Sequence, residues 1–157
     1  MTIVTDKSHA RLAAVMACYG QIVAEEDAQK IKDHLRTTVF PEMKLGRAAP
    51  QFVERRIHSF LTHKDTYYEM ISNELDAKWP ITRVEKVLLV IMMLALDELV
   101  HEPETHQGVI IDEYLHIVHA FYDKKEAAFV NPILQRLAIL TRSTDSQNGI
   151  PGMQNLQ

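Results

Sequence analysis

Cysteine is almost missing from this chain of 157 residues, Cys18 being the only one. An internal disulfide is therefore excluded, and nothing points to an oxidising compartment. Cys18 stands between Ala17 and Tyr19 in an apolar helical stretch, where it reads as a small buried hydrophobe. Long apolar runs are missing too. The longest, residues 87–96, is about half of the ~20 residues a bilayer span requires, and Glu85, Lys86, Asp97 and Glu98 bracket it. It reads as a core helix. Residues 1–10 carry Asp6 and Lys7 and lack the uninterrupted apolar core of a secretory signal. Together these absences predict a soluble cytoplasmic protein with no membrane association.

A basic excess is also lacking. The formal net charge of −4 argues against a protein that holds nucleic acid by bulk electrostatics. Any RNA contact must be local, resting on a small basic patch or shared with a basic partner. The chain has no glycine loop to cradle phosphate and no nucleophile with a matched base and orienting group. His101-Glu102 does not open a metalloprotease motif, because the next histidine is His106 rather than one at the required spacing. Neither catalysis nor a cofactor is expected. No useful stretch alternates with a period of two, so no strand is expected and the fold class is all-α. There is no internal repeat.

What the chain does contain is a succession of helical patterns. Residues 8–26 form the first, with Leu12, Val15, Met16, Tyr19, Ile22 and Val23 on one face. Ser8 or Asp6 is placed to cap it, and Gly20 weakens its middle by about 1 kcal/mol relative to alanine. A short second helix with Ile31 and Leu35 inward ends at Pro41, and residues 41–50 form a loop. From 51 to 78 the pattern is helical again, through Phe52, Val53, Ile57, Phe60, Leu61, Tyr68, Ile71 and Leu75, with an expected break at 64–66. Trp79-Pro80 closes it. Thr82 is the expected cap of the most apolar helix, which ends near Val100 and should be surrounded by others. Residues 103–108 make a turn. At 157 residues the chain suits one domain, here 1–141, that buries roughly two thirds of its unfolded surface. Residues 142–157 are too polar and too rich in breakers to pack, and are expected to be a disordered tail.

The rest of the chain is organised around residues 111–134. Ile111, Leu115, Val118 and Phe121 recur at helical steps, Asp123, Lys124, Lys125 and Glu126 interrupt them, and Phe129, Val130, Ile133, Leu134, Leu137 and Leu140 resume. The result is two amphipathic helices joined by an exposed, partly basic corner. An Ile-Asp-Glu opening, a Phe near the helix end, a charged turn and then Phe-Val-Asn resemble the C-terminal half of the NusB family of transcription antitermination factors. Ala10, Arg11, Ala14, Val15, Ala17 and Tyr19 match the family's first helix. From Trp79 onward, Arg83, Val87, Ile91, Leu94, Ala95, Glu98, Leu99, Val109, Ile111, Glu113, Phe121, Phe129, Val130 and Asn131 fall at family spacing.

The resemblance implies two small helical bundles packed across each other. It also implies a monomer or homodimer that binds boxA RNA of nascent ribosomal transcripts, pairs with the ribosomal small-subunit protein NusE, and serves the transcription elongation complex. Arg11 falls on an arginine of the family's RNA-binding N-terminus, Phe129 on a base-stacking aromatic, and Tyr19 on the NusE-facing surface. The family's arginine-rich lead-in is reduced here to Lys7, His9 and Arg11, so a smaller electrostatic share of RNA affinity is expected. At the partner surface Leu88-Leu89 replaces an acidic and a basic residue. Glu85-Lys86, one turn upstream, covers similar ground. Tyr122 and Pro132 stand where the family has glycines.

The residues themselves leave alternatives open. Phe129 suits a core stripe with Ile133 or a stacking platform beside Lys124 and Lys125. The two lysines suit a solvated corner or phosphate contact, and Arg55-Arg56 has the same pair of readings. Tyr19 suits a core margin or an interface. His9 and Arg11 oppose the dipole of the first helical turn, which favours a functional role. The RNA-binding set is therefore Lys7, His9, Arg11, Lys124, Lys125 and Phe129, with Tyr19 and Glu85 facing a partner. One alternative is a helical protein–protein interaction module with little RNA binding. A remote one is a di-iron carboxylate bundle, prompted by the pairs Glu98/His101 and Glu113/His116.

Overall fold

The computed structural model describes residues 6–23 and 49–142, with residues 29, 30, 33 and 37 between them. Five α-helices are present among the described residues: α1 (Asp6–Val23), α2 (Ala49–Asn73), α3 (Lys86–His101), α4 (Gln107–Phe121) and α5 (Lys124–Arg142). A 3-10 turn, Ile81–Arg83, precedes α3, and no described residue lies in a strand. The all-α expectation is met. The chain divides into two compact units, residues 1–61 and 62–157, whose border falls within α2. The expected helix at Ile31 and Leu35, residues 41–48 of the expected loop and residues 143–157 of the expected tail lie outside the described residues; Ala49 and Pro50 already belong to α2, and Arg142, expected in the tail, is the last residue of α5.

In the first unit, α1 buries a different face from the one expected. Ala10, Arg11, Ala13, Ala14, Val15, Ala17 and Cys18 are buried, whereas Met16 is 57% and Tyr19 36% exposed. The stripe 10-14-17 and its neighbours 11-15-18 carry mostly small side chains, which allow close backbone approach. Hydrophobicity weights point instead to the bulkier Met16 and Tyr19. Helix α2 begins with Ala49 and Pro50, a first-turn position where proline gives up no intrahelical bond.

No break occurs at 64–66. Residues 51–73 contain neither proline nor glycine, and Lys64 and Asp65 simply face solvent. Tyr67 is fully buried and Tyr68 is 37% exposed, reversing the expected assignment. Tyr67 is two turns on from buried Phe60, on its face, and Tyr68 is about 100° further round.

The helix ends at Asn73, short of the expected 78. Backbone turns from Glu74 to Ile71 and from Leu75 to Ser72 close it, and the Asp76 carboxylate accepts the Lys78 N–H at 2.9 Å. Thr82 lies in the 3-10 turn and does not cap α3. Val84 and Glu85 are extended, so the helix starts only at Lys86, and Glu85 occupies the cap position without a capping side-chain bond.

Every residue from Leu88 to Leu99 is buried, as an all-round apolar helix requires. Leu88 and Leu89 therefore belong to the core and offer no self-association surface. α3, α4 and α5 pack on one another. On α4 the buried set is Ile110, Ile111, Tyr114, Ile117 and Val118, which turns Phe121 outward at 50% exposure. At the corner, Glu126 accepts the Asp123 N–H at 3.1 Å, one half of a capping box that starts α5. Val130, Ile133, Leu134 and Leu137 are buried as expected, while Leu140 is exposed. Pro132 sits inside α5 on the solvent side, where the Ala128 carbonyl it leaves unbonded is near water.

Candidate nucleic-acid interface

The first unit gathers basic side chains around one ring. Phe52, 2% exposed, has Lys7 Nζ at 5.5 Å from its centroid, the guanidinium carbons of Arg11 and Arg56 at 5.5 Å, and that of Arg55 at 5.9 Å. Arg11 and Arg56 are buried, each 3% exposed, while Lys7 and Arg55 reach solvent. Sequence spacing explains the convergence: Lys7 and Arg11 are one turn apart on α1, and Phe52, Arg55 and Arg56 share a face of α2. Arg11 is thus a packed residue as well as a cation. The outward charge of the cluster comes from Lys7 and Arg55, and Arg55 had no place in the expected RNA-binding set. His9 is half-buried on α1, and Tyr19 is exposed beside Met16.

In the second unit, Lys124 and Lys125 are exposed on the first turn of α5, and Phe129 is half-buried one turn below Lys125. Phe129 is not sealed in the core. With Trp79, Arg83, Val84, Glu85, Leu88, Tyr122, Lys125 and Glu126 it lines an open cavity of about 480 Å³. Arg83 lies over the Trp79 ring at 5.6 Å. Glu85 is hydrogen-bonded to the Tyr122 side chain; desolvation first, and then this bond, push the Tyr122 phenol well above its ordinary value. Glu85 is therefore part of the cavity wall. No spacing argument could have joined Trp79 and Arg83 to Phe129, because they stand in separate segments that only the folded chain brings to one cavity.

A buried polar cluster lies elsewhere in the same unit. The Tyr67 hydroxyl donates to Asp97 Oδ1 at 2.6 Å, His101 Nδ1 lies 3.1 Å from the same oxygen, and His63 stacks on His101 at 5.4 Å. This takes His101 away from the Glu98/His101 pairing of the di-iron alternative. His116 Nδ1 lies 2.7 Å from its own helix's Asp112 carbonyl. Among the described residues no three His, Cys, Asp or Glu side chains converge in a way that could hold a metal ion. Nor, among them, is any helix long and apolar enough to cross a membrane.

The chain's relatives agree with this architecture. The transcription antitermination protein NusB of Brucella ovis is 30% identical over 142 residues, covering 85% of this chain and 80% of its own length. That of Novosphingobium aromaticivorans is 28% identical over 149 residues, covering 88% and 97%. Among solved structures, T. maritima NusB superposes with a TM-score of 0.73 at 26% identity, over 84% of this chain and 89% of its own. A chain from a complex of antitermination factors NusB and NusE with double-stranded RNA gives 0.72 at 19% identity, over 85% and 96%, a likeness of fold alone. The model of the NusB family matches residues 8–138, and with that match spanning most of its length the chain belongs to the NusB family.

Proposed function

We propose that this chain is a non-catalytic, cytoplasmic RNA-binding transcription antitermination factor that pairs with NusE on boxA RNA of nascent ribosomal transcripts. The observation that carries this reading is the corner of α5: two exposed lysines beside an aromatic ring that stays open to solvent, in a chain of this family. Base stacking next to cations is the usual way of holding single-stranded RNA. Lys124 and Lys125 meet phosphates and Phe129 stacks a base. Lys7 and Arg55 supply a second phosphate contact, held in place by Arg11 and Arg56 packed against Phe52, and His9 lies on the same helix. Tyr19, with Met16 beside it, offers NusE an exposed apolar pair, and Glu85 adds an acidic contact. NusE raises RNA affinity by prearranging the shared surface.

Titration of a boxA-like RNA with and without NusE tests this. Binding should be weak alone and tighter with NusE, and no RNA binding in either case rejects the proposal. A second reading, a protein–protein module without RNA contact, draws on the exposed Met16 and Tyr19 together with the net charge of −4. It requires NusE binding with no salt-dependent RNA affinity.

A further inference from the structure

The cavity between the 3-10 turn and the start of α5 has a composition that core packing does not call for. Trp79, half exposed at 50%, stands at its mouth, and Tyr122 and Phe129 are further aromatic walls. Val84 and Leu88 are the only aliphatic residues among those lining it. Two cations, Arg83 and Lys125, are exposed at its edge. Two acids line it as well, so its formal charge is balanced: Glu126 accepts the Asp123 N–H, and Glu85 is bonded to Tyr122 while remaining exposed. At about 480 Å³ the cavity lies within the range of small-ligand sites, with room for a flat ring.

Three aromatic walls suit a ligand with a planar π-system, and the exposed Arg83 and Lys125 at the edge can meet phosphates on either side of it. We propose that this cavity receives one base of a single-stranded RNA, stacked against Trp79 and Phe129, with Arg83 and Lys125 on the flanking phosphates. The inference rests on the RNA-binding reading above and deepens it, since that reading uses Phe129 alone as a platform and leaves Trp79, Arg83 and Tyr122 without a role. Arg83 is already held over the Trp79 ring, so it is presented at the mouth before RNA arrives and little further ordering is needed.

Trp79 is the only tryptophan in the chain, so the tryptophan emission of the protein comes from the mouth of this cavity. A labelled boxA-like RNA is titrated into the full chain while label anisotropy and Trp79 emission are followed together. The expected result is quenching of Trp79 that tracks the anisotropy with the same midpoint. Trp79→Leu should weaken binding roughly 10-fold and Trp79→Phe should restore most of it, as stacking on an aromatic predicts. Trp79 is at the surface, so neither change threatens folding.

Rising anisotropy with unchanged Trp79 emission and full affinity in Trp79→Leu would overturn the cavity assignment while leaving RNA binding intact. No anisotropy change at all would remove the RNA reading and this inference with it. A Trp79 response to NusE but not to RNA assigns the cavity to a protein side chain and also overturns the proposal.

Discussion

The Tyr67 hydroxyl donates to the buried Oδ1 of Asp97 at 2.6 Å, tying the C-terminal half of α2 to the most enclosed helix of the protein. Both residues are 0% exposed. A buried side-chain hydrogen bond is costly to lose, because no water replaces the donor that the Asp97 oxygen gives up. Tyr67→Phe should therefore destabilise the fold by about 1.5–3 kcal/mol, read as a lower midpoint of urea unfolding with an unchanged slope. Tyr68→Phe, at an exposed position on the next residue, should move the midpoint very little.

Arg142, the last residue of α5, makes a clamp that a boundary drawn at 141 would cut off. Its guanidinium donates to the carbonyls of Leu99 at 2.9 Å, Glu102 at 2.8 Å and Thr105 at 2.6 Å, closing the end of α3 and the turn that follows. Burial lowers its pKa, a pull opposed by Glu104 and Glu98. Arg142→Ala should cost about 2–3 kcal/mol, because partly buried helix-end carbonyls lose a charged donor. Arg142→Lys should recover only a minor part, since one ammonium cannot span three carbonyls as a planar fork does. Thermal unfolding of both variants checks this.

How far these features could be read beforehand depends on the kind of signal each one leaves. The helical class, the enclosed α3 and the exposed lysine corner were legible because periodicity and composition carry them locally. The buried face of α1 was not: Ala10, Ala14 and Ala17 are weakly hydrophobic, and Met16 and Tyr19 outweigh them in any count. Tyr67 was displaced by Tyr68 because two adjacent tyrosines are equivalent until the phase of the helix is known. The start of α3 lies later than the sequence suggests, because a threonine after Trp-Pro looks like a cap, whereas the extended backbone at Val84 keeps the helix from starting before Lys86. The cluster around Phe52 and the walls of the α5 cavity come from separate segments, and pairings of that kind leave no mark on spacing.

Tyr122 makes a prediction about alkaline pH. Desolvation, then the bond to Glu85, raise its phenol above the ordinary value of 10.0. In the unfolded chain the phenol ionises near 10, whereas in the folded chain it holds its proton to higher pH. Its contribution to stability is therefore complete below about pH 10 and is lost as pH climbs through the folded-state value. Tyr122→Phe has no phenol to ionise and should show a shallower loss of stability above pH 10. Among the five tyrosines of the chain, absorbance titration of the native protein should show a late-ionising one that is missing from the variant.

The paired lysines at the start of α5 should be visible in the salt dependence of RNA affinity. Each phosphate neutralised on a single strand contributes about 0.7 to the slope of log affinity against log salt. Lys124→Ala with Lys125→Ala should therefore flatten that slope by about 1.4 and weaken binding at low salt far more than at high salt. Both side chains are exposed, so unfolding stability should be little changed, which separates lost contact from lost fold. Phe129→Leu should behave in the opposite way, lowering affinity by a similar factor at every salt concentration, because stacking releases no counterions. If the double lysine variant kept the native slope, the corner would be a solvated turn and phosphate binding would have to come from Lys7 and Arg55.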